Sequence, residues 1–242
     1  MMGKNVKIAL NILSIVAVLG LMAFQSISSS AIKVSSLEIS IENADEQFFI
    51  YKDEIKSFIL SLQDSLYEES LKEINISMLE DTLKTMTYVA NAEVFSTLDG
   101  KLSVLLKQNN AIARIKDGEY WFYIDHEGDK MPLSRHYSAM VPLITGNVND
   151  KSLDYICQLL LKSTTDPFFE GYIQGINVEN DKSLTIYPSF GKHKVLWGSQ
   201  MMTDNKLNKL KAFYSHFESE EKIAGIKTIN VQYEGQVVYT NY

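Results

Sequence analysis

Hydrophobic patterning along the chain predicts an α+β protein: an N-terminal transmembrane helix, a small α/β unit, then a strand-rich β domain with two helices. Three observations predict it. Residues 8–24 form an uncharged apolar run whose only polar side chains are Asn11 and Ser14. Residues 37–106 alternate between two periodicities in the order strand, helix, helix, strand, strand. From residue 112 onward, short strand patterns are separated by glycine-containing turns.

The apolar run comes first. As a helix rising about 1.5 Å per residue, its roughly 17 residues cover ~26 Å of a ~30 Å hydrocarbon core. Val6 on one side and Gln25 to Ile27 on the other extend it into the interfacial zone. Lys4 and Lys7 precede it, and the next charge is Lys33. That asymmetry predicts a cytoplasmic tail at residues 1–7, an anchor at residues 8–24 and export of everything beyond. A buried core helix would be amphipathic, whereas this run is apolar all round. A cleaved signal peptide is the competing reading, because Ser29-Ser30-Ala31 resembles a cleavage site. The expectation is a retained anchor in the cytoplasmic membrane.

Composition narrows the function classes. The net charge of −7 leaves no broad basic face, so a nucleic-acid partner is not expected. With 4 Pro and 12 Gly there is no long disordered tether. Cys157 is the single cysteine, so no internal disulfide forms, and its apolar helical setting predicts a buried, inert thiol.

The α/β unit is expected at residues 33–108. Leu37, Ile39 and Ile41 alternate as a half-buried strand, and residues 43–46 break it. Ile55, Phe58, Ile59, Leu62 and Leu66 predict a helix over residues 52–66. A second begins at a capping box formed by Ser77 and Glu80, with Leu79, Leu83 and Met86 on its apolar face. Ala92 and Val94 belong to a strand that turns at Asp99-Gly100 into another bearing Leu102, Val104 and Leu106. Two one-faced helices over a three-stranded sheet resemble a POTRA domain.

The β domain is expected at residues 112–242. Strand patterns fall at residues 114–116, 121–124 and 141–145, and again, as a meander, at 173–178, 184–187 and 194–197. A helix is predicted over residues 151–162, stopped by Asp166-Pro167. Leu207, Leu210, Tyr214 and Phe217 predict another, capped near Thr203 or Asp204. Strands at residues 228–233 and 236–239 flank a turn at Glu234-Gly235.

No catalytic constellation emerges. His126, His136, His193 and His216 lack zinc-ligand spacing. Asp125, Glu127 and Asp129 bracket Gly128 without the calcium-loop pattern, so a plain turn is expected. The chain has no nucleophile elbow, P-loop or dinucleotide fingerprint. No cofactor or metal is expected, and the protein reads as a non-enzyme. Tyr120-Trp121-Phe122-Tyr123 reads as large side chains filling both faces of a strand, against the sharper alternative of stacking on sugars or bases. The final strand pair is the candidate site. An edge strand leaves N–H and C=O groups that another chain can pair with, and no proline interrupts residues 228–242.

Three stretches resemble the FtsQ/DivIB family of bacterial division proteins. The first is Ala113-Arg114-Ile115 with Tyr123-Ile124-Asp125-His126-Glu127-Gly128 and Met131-Pro132-Leu133-Ser134. The second is Val141-Pro142-Leu143-Ile144-Thr145-Gly146. The third joins Lys206-Leu207-Asn208-Lys209-Leu210 to Ile229-Asn230-Val231-Gln232-Tyr233 and Gln236-Val237-Val238. Where the family often has Arg and Pro, just before Ala113, this chain has Gln108-Asn109-Asn110-Ala111. The resemblance implies a division-septum scaffold that binds FtsB-like and FtsL-like partners outside the membrane. By position, it assigns partner binding to Thr228, Ile229, Asn230, Val231, Gln232 and Tyr233, and to Gln236, Val237, Val238 and Tyr239. A membrane-anchored envelope enzyme or a peptidoglycan-binding protein is the alternative reading.

Overall fold

The computed structural model describes residues 13–19, 32–42, 47–198, 203–217 and 223–242. Contacts divide the chain into two units, one ending at Asn109 and the other beginning at Asn110. The expected membrane span at residues 8–24 lies outside the described residues except for 13–19, which are helical and exposed. Among the described residues no helix is long and apolar enough to cross a membrane. The polar break expected at residues 43–46 also lies outside the described residues.

In the first unit, apolar alternation gives strand β1 (Ser36–Glu42), and helical spacing gives α1 (Lys52–Leu62) and α2 (Ile76–Lys84). Strands β2 (Val89–Ser96) and β3 (Lys101–Gln108) form a hairpin. The sheet order is β1-β3-β2, with β1 parallel and β2 antiparallel to the central strand. The two helices lie between β1 and β2 in sequence, the crossover that a parallel pair requires. Ile55, Ile59, Leu79 and Leu83 are buried, as are Leu102, Val104 and Leu106 of β3.

Two local expectations need correction. The first helix ends at Leu62, not at residue 66: the N–H of Gln63 bonds Ile59, and Leu66 is buried from a turn. The second helix is capped by Asn75, whose Oδ1 accepts from the Met78 N–H at 3.0 Å. Glu80 does not close a capping box with Ser77; its carboxylate accepts from the Val94 N–H of β2 at 2.8 Å. The helix therefore starts two residues earlier than the Ser77 signal suggests, and Glu80 ties it to the sheet.

Among the described residues the second unit has nine strands: β4 (Ala111–Asp117), β5 (Tyr120–Asp125), β6 (Lys130–Pro132), β7 (Leu143–Gly146), β8 (Ile173–Val178), β9 (Leu184–Pro188), β10 (Lys194–Gly198), β11 (Ile226–Asn230) and β12 (Val238–Asn241). Their order is β12-β11-β10-β9-β8-β7-β4-β5-β6. Helix α3 (Asp150–Thr164) joins the parallel pair β7–β8, and α4 (Thr203–Ser215) lies between the parallel pair β10–β11. Helix α3 begins at a capping box in which Asn149 and Ser152 exchange hydrogen bonds of 2.8 and 2.9 Å.

One sheet face meets the helices. Ile115, Ile144, Ile176, Ile186, Val195 and Ile229 pack there with Ile156, Leu159 and Leu210 in a single core. Trp197 is fully buried in it and donates its indole N–H to the Tyr155 hydroxyl at 2.9 Å. In the Tyr120–Tyr123 run, Tyr120 and Trp121 are exposed, Phe122 packs partly against the core and Tyr123 is buried. Cys157 is buried in α3, and burial followed by the neighbouring Asp125 and Asp154 raises its thiol pKa.

Candidate partner-binding edge

Strand β11 is interior. It pairs parallel with β10 on one side and antiparallel with β12 on the other. Ile229 and Val231 point into the core and are fully buried, whereas Thr228 and Asn230 face the opposite side, half-exposed. The register sets Thr228 opposite Thr240 and Asn230 opposite Val238, and the two threonine hydroxyls hydrogen-bond at 2.5 Å.

The direction of each backbone group follows by alternation. The Val231 N–H donates to the Leu196 carbonyl of β10 at 3.2 Å, so Ile229 also faces β10, and Thr228 and Asn230 face β12. On β12, the Tyr242 N–H donates to the Gly225 carbonyl at 3.2 Å. Val238 and Thr240 therefore face β11, while Val237, Tyr239 and Asn241 direct N–H and C=O away from it. Both parities agree with the observed register. Since β12 ends the strand order, the outward groups of Tyr239 and Asn241 have no ladder partner among the described residues.

Side chains build the flanks of this edge. The Tyr239 ring lies 5.6 Å from that of Phe213 and 6.4 Å from that of Phe217, at the far end of α4. Nearly half of Tyr239 stays exposed. Tyr242 donates its hydroxyl to the Lys192 carbonyl at 3.1 Å, with the Lys227 ammonium 6.0 Å from its ring centroid. The segment from Gln232 to Gln236 is exposed, and Tyr233 projects with 52% of its surface accessible.

The expected strand at residues 228–233 is shorter, ending at Asn230, and the expected strand at residues 236–239 is displaced to Val238–Asn241. The reason is visible in α4. The Lys209 ammonium donates to the Val231 carbonyl at 2.8 Å and to the Tyr233 carbonyl at 2.6 Å. Carbonyls two residues apart on an extended strand stand roughly 7 Å apart. Convergence on one nitrogen makes the chain curl at Gln232. The Gln232 N–H turns back to Asn230 Oδ1 at 2.9 Å, and its side chain lies over Gly198, where a Cβ would sit 2.5 Å from Gln232 Cγ. Next to Lys209, the Lys206 side chain is buried over Trp197, and burial first, then Lys209, lowers its pKa.

Of the ten residues expected to bind a partner, the structure thus gives Val238 and Tyr239 to the edge strand, and Gln236 and Val237 to the loop before it. Thr228, Ile229 and Asn230 lie in the interior strand, and Val231, Gln232 and Tyr233 in the curl. Asn241, Lys209, Phe213 and Phe217 complete the edge and were not assigned to partner binding from the sequence. The apolar period expected for the last helix includes Phe217 but not Phe213, and the proximity of both rings to β12 is a tertiary fact.

A cleft of about 540 Å³ between the end of α3 and the starts of β4 and β8 is lined by apolar, hydroxyl and amide side chains, none of them titratable. The carboxylates of Asp125, Glu127 and Asp129 lie within 4.8 Å of one another. Asp125 Oδ1 accepts from the N–H groups of Glu127 and Asp129 at 3.0 and 2.9 Å, which closes the turn. His126, His136 and His216 are exposed, and His193 is buried.

Comparison with known proteins finds two matches along the chain and one relative. Residues 33–107 match a family described as a POTRA-like domain. Residues 110–240 match the family described as FtsQ/DivIB, C-terminal related. The cell division protein DivIB of Clostridium acetobutylicum is 23% identical over 180 residues, which cover 69% of this chain and 70% of that protein.

Proposed function

Because the chain belongs to the FtsQ/DivIB-related family of cell division proteins, we propose that it is a non-enzymatic scaffold of the division machinery, anchored by one span at residues 8–24. It acts at the division septum, with a cytoplasmic N-terminus and both folded units outside the cytoplasmic membrane. The POTRA-like unit contributes to recruitment. The second unit binds an FtsB-like protein, with an FtsL-like protein alongside, by accepting a strand on β12.

One observation carries this reading: β12 lies at the sheet's end with the N–H and C=O groups of Tyr239 and Asn241 directed outward. Exposed β edges favour pairing with another strand unless proline, charge or a covering element blocks them. Here β12 carries Val, Tyr, Thr and Asn, with no charge and no proline. The Phe213–Phe217–Tyr239 flank offers apolar surface beside the ladder.

Proline substitution tests the edge because N–H direction differs between residues. Asn241→Pro removes an outward N–H and should leave the melting temperature near that of the parent. Binding to the cell's FtsB-like protein should fall about tenfold or more, the loss of one ladder bond plus a clash. Val231→Pro removes the bond to Leu196 and should instead damage the fold. Binding is read by titration calorimetry and stability by thermal melting. A folded Asn241→Pro chain that binds normally would rule out strand addition at β12.

A further inference from the structure

We infer that Lys209 is the positioning residue of the β12 edge. It holds the curl between β11 and β12 and so sets where the outward groups of Tyr239 and Asn241 stand. The consequence for partner binding rests on the function proposed above; the clasp itself does not.

The geometry is specific. From helix α4, the Lys209 ammonium bonds two carbonyls on either side of Gln232. No carboxylate of the described residues lies within ion-pairing distance of that ammonium. Its charge is thus directed at backbone carbonyl oxygens, which favours strong, charge-assisted bonds. On the β10 side, Val231 is fixed by Leu196, and on the β11 side Gln232 is fixed by Asn230. Lys209 supplies the third constraint, the one that reaches Tyr233, after which the exposed chain runs to β12. Without it, the part-buried Val231 carbonyl and the exposed Tyr233 carbonyl lose a cationic donor, and the loop is tied down only at its first residues.

The same helix carries the rest of the support. Leu210 sits in the core and Phe213 touches Tyr239, so α4 contacts the hairpin at its curl through Lys209 and at its edge strand through Phe213. Four residues separate these contacts, one helical turn, which places both on the face turned to the hairpin. A change at Lys209 should therefore alter the edge without disturbing the packing of β7 or β8 on α3.

The test uses the full chain and reads amide hydrogen exchange residue by residue. In Lys209→Met, exchange at Val238 and Thr240, whose N–H groups face β11, should accelerate about tenfold or more, as loss of charge-assisted bonds implies. Exchange at Ile144 and Ile176 in β7 and β8 should stay at the parent rate. Lys209→Arg, which keeps cationic donors, should return β12 toward the parent. Lys209→Gln, with a neutral donor, should fall between them and gives a second reading where the Met variant folds poorly. Unchanged exchange in β12 for both neutral variants, or an equal rise in β8, would overturn the clasp. Affinity for the cell's FtsB-like protein is measured on the same samples and should weaken in parallel with β12 exchange. If β12 exchange responds as described but the parent chain shows no binding and no protection of β12 by that protein, the clasp stands and the edge-binding reading falls.

Discussion

At the scale of single residues, the second unit holds a buried polar chain that makes its stability pH-dependent. His193 is 3% exposed, its Nε2 lies 2.6 Å from the Tyr214 hydroxyl, and that hydroxyl lies 2.9 Å from the Tyr172 hydroxyl. Its Nδ1 is buried without a hydrogen-bond partner among the described residues. Phe190 packs edge-on against the imidazole, and among the described residues no carboxylate acts on it. Burial accordingly lowers the imidazole pKa below its usual value of 6.5, and raises those of Tyr172 and Tyr214. The unfolded chain takes up a proton at His193 as the pH falls through about 6.5, while the folded chain still excludes it. The stability tied to a neutral His193 is thus complete above about 6.5 and is lost as the pH falls from there through the lowered folded value. Melting temperatures between pH 7.5 and 5 should drop more steeply for the parent than for His193→Phe, which fills the aromatic cluster without titrating. Equal slopes would assign the acid sensitivity to other groups. The sequence shows four histidines without ligand spacing, but not which one is buried.

At the scale of elements, the reading from sequence succeeds where a pattern is local. The periodicities of β1, α1, α2, β3, α3 and α4 all appear as elements of the expected type. It falters where two local signals compete or where partners are distant. Asn75 and Ser77 are both good caps two residues apart, and only the bond that Glu80 accepts from the Val94 N–H shows that Glu80 is not a capping residue. Strand β6 is three residues long and ends in Pro132, too short for alternation to register. The parallel pairing of β7 with both β4 and β8 joins segments far apart in sequence, beyond the reach of any periodicity. The candidate edge shows the same limit: β-prone residues mark the hairpin, but Lys209, a helix away, decides that β11 stops at Asn230. Gly146 illustrates how one position secures such a junction. It ends β7 with φ +96°, and an added Cβ would stand 2.1 Å from the Val178 carbonyl of β8. Gly146→Ala combines a disfavoured backbone region with a clash against main chain, so it should cost more than about 1 kcal/mol. Urea denaturation would show a lowered midpoint with an unchanged slope; a midpoint equal to the parent's would mean that β7 and β8 can separate at no cost.

At the scale of the whole molecule, two cores lie on either side of the division at Asn109 and Asn110, and each belongs to its own sheet. Among the described residues, the buried core of the second unit comes from positions 113–231. The first unit buries Ile55, Ile59, Leu66, Leu83, Leu102 and Leu106 completely or nearly so, from α1, α2, β3 and the turn after α1. Its central strand is flanked on both sides by strands of the same unit, and the Gln108 side chain closes it by donating to the Gln47 carbonyl at 2.5 Å. Among the described residues its hydrogen-bonded ladder and buried apolar side chains come from within the unit, which favours independent folding. A fragment of residues 33–108 should consequently fold alone. For roughly 75 residues, a cooperative transition carries an unfolding enthalpy of about 50 kcal/mol. Circular dichroism melting of the fragment should give a van't Hoff enthalpy near that figure, equal to the calorimetric one. Leu102→Ala, at the centre of β3, should cost about 2–5 kcal/mol and lower the midpoint markedly. If the fragment instead melts without a cooperative transition, or if Leu102→Ala leaves the midpoint unmoved, its core is not self-sufficient and the folding boundary lies beyond residue 108.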